Sequence, residues 1–69
     1  MTTPTKEAYL VASDMVSKCA QTLAVVAQLE GMARYLGTHE QSIKALQAIK
    51  IDIGSLYATN LEIVERYVQ

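Results

Sequence analysis

The sequence predicts an all-α chain: an antiparallel two-helix hairpin, of the kind that pairs into a dimeric four-helix bundle. Three observations carry this. Apolar residues recur three and four apart along nearly all of the 69 residues, the spacing of one helix face. A single break, Leu36-Gly37-Thr38-His39-Glu40-Gln41, divides the pattern into two nearly equal halves. And 51% of the residues are apolar, more than two helices can hide when each shields only one stripe of the other.

The first helix is expected over residues 4–36. Thr3 serves as N-cap and Pro4 as the first helical residue, since the cap oxygen takes an orphan N–H and proline has none to lose. The seam then reads Ala8, Ala12, Met15, Cys19, Val26, Leu29, Ala33, Leu36, a heptad-like series. Tyr9, Val16 and Leu23 widen one side of it, and Val11, Val25 and Met32 the other. A stripe of small residues, Ser13, Ser17, Ala20, Ala24, Ala27 and Gly31, shares a further face. Small side chains let another helix approach closely.

Gly37 suits the left-handed residue that ends a helix. Thr38 with Gln41 makes a capping box that starts the next. The turn over residues 37–38 is therefore short, and the helices must fold back on each other. The second helix, over residues 39–68, reads Ile43, Leu46, Ile49, Ile53, Leu56, Tyr57, Ile63, Val64, Tyr67. Asn60 falls in this seam, where a polar residue can fix register. Gly54 and Ala58, flanked by Ile51 and Leu61, repeat the small-residue pattern. Four acid-to-base pairs stand at i, i+4 in the favourable order: Asp14 with Lys18, Glu30 with Arg34, Glu40 with Lys44, Glu62 with Arg66. They support helix rather than function. The whole of residues 1–69 reads as one hairpin domain.

Charge and chemistry narrow the function. The net charge is −1 and the basic residues are scattered, with no patch to neutralise phosphates. The one cysteine, Cys19, permits no internal disulfide and fits a reducing compartment. Residues 1–7 are polar and lead into no signal-peptide core. The longest uncharged stretch after them, Cys19 to Leu29, is about half the ~20 residues that span a bilayer. A soluble, cytoplasmic protein is expected. His39 is the lone histidine, and nothing near it in sequence supplies the three or four ligands of a metal site. Neither a phosphate-cradling loop nor a nucleophile with its base is present. No cofactor, metal, small-molecule substrate, nucleic acid or membrane is expected.

What remains is binding to proteins. Self-association is expected through Ser17, Ala20, Ala24, Ala27, Gly31, Gly54, Ala58 and Leu61. The hairpin tip, with Met32, Arg34, Tyr35 and His39, is the expected partner site, because exposed Tyr and Arg beside apolar residues are favoured anchors. Tyr9, Leu10, Tyr67 and Val68 cluster at the other end, where two chains could close over each other.

The stretch Leu61-Glu62-Ile63-Val64-Glu65-Arg66-Tyr67 resembles the C-terminal end of the AriR-type biofilm and stress regulators of enteric bacteria. That resemblance implies a small helical protein that dimerises and acts through regulatory partners. The layout is also similar to the Rop-like hairpins, which pair into four-helix bundles and bind RNA, though the basic face for RNA is lacking here. A third likeness is to the small hairpin co-chaperones of type III secretion needles. Two functions are thereby expected in turn. One is a bacterial or phage-type regulator, such as an anti-activator, that modulates a transcription factor or a secretion or pilus component. The other is a co-chaperone or assembly subunit of a larger complex. An RNA-binding hairpin is a distant third.

Overall fold

A computed structural model describes residues 3–37 and 39–69. Two helices, α1 (Lys6–Leu36) and α2 (Glu40–Val68), account for nearly all of them. They lie side by side along their length as a hairpin measuring 48 × 18 × 15 Å. That length is what α1's 31 residues give at 1.5 Å each.

The ends of the helices follow from local chemistry. Thr5, not Thr3, is the N-cap of α1: its backbone is extended, and its hydroxyl oxygen accepts from the Ala8 N–H at 3.1 Å. Pro4 therefore precedes the helix rather than opening it. Gly37 ends α1 with φ 70°, and its N–H donates to the Ala33 and Arg34 carbonyls. A side chain there would be strained, because a Cβ crowds the carbonyl in left-handed backbone. The expected cap at Thr38 lies outside the described residues. The cap of α2 falls on His39, whose Nδ1 accepts from the Gln41 N–H at 3.2 Å.

The core is thin. Among the described residues only Ala12, Cys19, Val26 and Ala33 are buried, all from α1, and no large side chain is fully enclosed. These four repeat every seven residues. Between them run the half-buried Tyr9, Val16, Leu23 and Glu30, again seven apart. Together they make the strict three-four seam of a coiled coil. Two lines of α2 face it: Ile43, Lys50, Tyr57, Val64 and Leu46, Ile53, Asn60, Tyr67.

This register corrects the expected seam. Ala8, Leu29 and Leu36 were placed in it and are exposed, as are Ile49 and Leu56 of α2. Val16 and Leu23, expected at its edge, are in it. The cause lies in two contacts between the helices. Lys50 Nζ reaches Glu30 Oε1 at 3.2 Å. Tyr9 stacks on Tyr67 with ring centroids 4.3 Å apart. Both favour the Tyr9-to-Glu30 side of α1 over the more apolar Leu29-to-Leu36 side. The tyrosine cluster expected to join two chains is thus an internal clasp at the open end, with Leu10 and Val68 left exposed.

The i, i+4 ion pairs all form: Asp14–Lys18 at 2.7 Å, Glu30–Arg34 at 3.6 Å, Glu40–Lys44 at 3.5 Å, and Glu62–Arg66. By length and composition α1 is also apolar enough to cross a membrane. The expectation drawn from Cys19–Leu29 alone did not reckon with this. A signal sequence and the mostly buried core helix of a soluble protein pass the same test; α1 lies near the N-terminus, has α2 along one side and is 17% buried over that window.

Candidate protein-interaction surface

The seam leaves two flanks of the hairpin uncovered, and they differ in character. One carries large apolar side chains. On α1 the three-four spacing runs Val11, Met15, Lys18, Thr22, Val25, Leu29, Met32 and Leu36, apolar but for Lys18 and Thr22; on α2 it runs Ser42, Ala45, Ile49, Asp52, Leu56, Thr59 and Ile63, with Ser42, Asp52 and Thr59 polar. Near the tip the two helices bring these residues together: Leu29, Met32 and Leu36 line one open groove with Ser42, Ala45 and Ile49, and Ala33 and Leu46 form its floor. Among the described residues eleven large apolar side chains are exposed, and seven of them belong to this flank. Leu29 and Ile49 are 46% and 45% exposed, Met32 58% and Leu36 70%. Scattered exposed leucines are ordinary, but the contiguous apolar groove at the tip end, bounded toward the middle of the hairpin by Thr22 and Asp52, marks an interface.

The opposite flank is the small-residue one. Ser17, Ala20, Ala24, Ala27 and Gly31 of α1 are exposed on it, with Gly54, Ala58 and Leu61 of α2 sharing that side. All eight residues expected to self-associate therefore lie on one side of the hairpin. Nothing lies within 4 Å of a Cβ built at Gly31 or at Gly54. No close contact inside the hairpin accounts for glycine at either position.

The four expected partner-binding residues do not converge on one point. Tyr35 is 89% exposed and shares a shallow recess with Gln28, Gly31, Met32 and Leu36. Met32 also belongs to the large apolar flank. Arg34 turns toward Glu30, and His39 is engaged as the cap of α2. Asn60 sits in the seam, but its amide donates to the Leu56 carbonyl of its own helix at 2.8 Å.

Glu30 is the feature sequence reasoning placed wrongly. It was expected only as the acid of an i, i+4 pair that supports the helix, yet its side chain is only 13% exposed. Lys50 bonds one oxygen. The other lies 3.6 Å from Arg34 and accepts no hydrogen bond. The signal was one charged residue in each helix's seam line, of opposite sign. The hydrogen bond from Lys50 holds the Glu30 carboxyl below its ordinary value of 4.5; burial pushes the other way, and the charge of Lys50, then Gln47 and Arg34, add to the lowering. A lowered carboxyl contributes stability that is full above its unfolded value and lost as pH falls through the folded one. Glu30→Gln should accordingly flatten the loss of thermal midpoint between about pH 5 and pH 3. An acid-limb slope equal to that of the native chain would remove Glu30 from this role.

Among the described residues no three His, Cys, Asp or Glu side chains come together, and Cys19 is buried in the seam. No known protein family matches the chain, and neither does any curated protein or solved structure.

Proposed function

We propose that the chain is a non-enzymatic regulatory protein that works by self-association and by binding another protein. The partner class is a transcription factor or a secretion or pilus component of a bacterial or phage-infected cell, met in the cytoplasm. No cofactor or nucleic acid enters this reading. The observation that carries it is the disproportion between core and surface: four small buried residues against eleven large exposed ones among the described residues. A chain so built is completed by other protein.

The tip supplies the partner site. Tyr35 stands almost free of the hairpin beside an apolar recess, and aromatic anchors of this kind dominate binding energy. Arg34→Ala with Tyr35→Ala should leave helicity and self-association intact and weaken partner capture on the order of 30-fold or more. Quantitative capture from the cytosol of the source cell, native chain against double variant, is the check. A protein retained equally by both acts elsewhere than the tip.

The thin core also favours a second reading, a co-chaperone or assembly subunit held permanently by a larger partner. Solution behaviour separates the two. A regulator yields a soluble homodimer when purified alone, whereas an assembly subunit aggregates until its partner is added.

A further inference from the structure

We infer that the Glu30–Lys50 bond is a rotation lock: it holds α1 in the setting that keeps the tip groove open, and without it α1 turns about its own axis and folds Leu29 and Leu36 into the seam. The residues of α1 allow two seams that share one line, Ala12, Cys19, Val26 and Ala33. The seam observed adds Tyr9, Val16, Leu23 and Glu30 on one side of that line. The other adds Ala8, Met15, Thr22, Leu29 and Leu36 on its opposite side. At 3.6 residues per turn the two settings differ by a rotation of about 60°. Each added line offers three large apolar residues and one polar one, and the second has Ala8 besides. Burial alone therefore separates them weakly, the condition under which one sequence supports two packings.

What separates them is the polar member. Thr22 costs little at a seam, whereas a carboxylate stripped of water is tolerated only while it is paired. The groups that face Glu30 are Lys50 and Gln47 from α2 and Arg34 from its own helix. Lys50 bonds one oxygen at 3.2 Å, and the other oxygen accepts no hydrogen bond. With Lys50 gone, Glu30 keeps only Arg34 as a cation, 3.6 Å away and itself largely in water. Turning α1 carries Glu30 to the edge of the hairpin, where water solvates it. The same turn breaks the Tyr9–Tyr67 stack at the open end. It also moves Leu29 and Leu36 from the wall of the groove onto the helix they now stand beside. The lock thus decides whether the groove exists, whatever the groove receives.

Cysteines at two adjacent positions read the rotation. Thr22 is exposed and Leu23 half-buried. Thr22→Cys should therefore alkylate faster than Leu23→Cys in the otherwise native chain, with buried Cys19 as the internal reference. Adding Lys50→Met should invert the order, each rate moving about fivefold or more in opposite directions while helicity is kept. Exchanging the charges, Glu30→Lys with Lys50→Glu, should restore the native order, and an order left inverted would overturn the lock. Unchanged rates in Lys50→Met would overturn it too. So would a rise at both sites, which marks loosening rather than turning. Should Thr22→Cys not be the faster in the native chain, the tyrosine stack decides. Its ring-current shifts should vanish in Lys50→Met, and their persistence contradicts the inference. If Lys50→Met loses its helical signal, Glu30→Gln takes its place, and unfolding of both would show that α1 has no second setting.

Discussion

Val26→Asp is expected to abolish the helical circular-dichroism signal at room temperature. Val26 is the bulkiest of the four buried residues, 6% exposed, and stands in the seam between Leu23 and Glu30. A carboxylate there loses its water, and Lys50, the one cation placed in the seam, is already engaged by Glu30. Unpaired buried charge is among the few single changes that cost more than about 4 kcal/mol. A chain of 69 residues has total stability of only about 3–10 kcal/mol. Retention of the native melting midpoint would put Val26 at the surface and the seam of α1 elsewhere.

The second large effect is on concentration. A hairpin whose core is Ala12, Cys19, Val26 and Ala33 owes much of its stability to whatever covers the large apolar flank. Removing ~800 Å² per chain from water, a little over half of it apolar, stabilises by about 10 kcal/mol before association costs. Melting should then be bimolecular. For two 69-residue chains the unfolding entropy is about 0.3 kcal/mol/K, so each tenfold dilution should lower the midpoint by about 5 °C. A midpoint unchanged from the millimolar to the micromolar range would mean that one hairpin stabilises itself.

The two helices, the glycine that separates them and the four i, i+4 ion pairs were legible because each is a local matter of spacing and capping. The rotation of α1 about its axis was not. Leu29 and Leu36 are more apolar than Glu30, so periodicity alone draws the seam through them. What turns the helix the other way resides on α2, in Lys50 and Tyr67, and pairing across the hairpin is invisible to a pattern read along one segment. Two threonines, Thr3 and Thr5, stand where a cap could form, and the choice between them depends on which hydroxyl meets a free N–H. His39 caps α2 through a ring nitrogen, an acceptor easily passed over in favour of hydroxyls. The small-residue stripe is prominent in sequence, whereas the opposite flank is not. That flank emerges only once Leu29, Leu36, Ile49 and Leu56 are known to lie outside the seam.

Sedimentation equilibrium of the purified chain at micromolar concentration bears most directly on the claim that the hairpin is completed by a second copy. The expected result is a single species of twice the 7.6 kDa chain mass, with full helicity measured on the same sample. A species of one chain mass that is fully helical and melts cooperatively would contradict it.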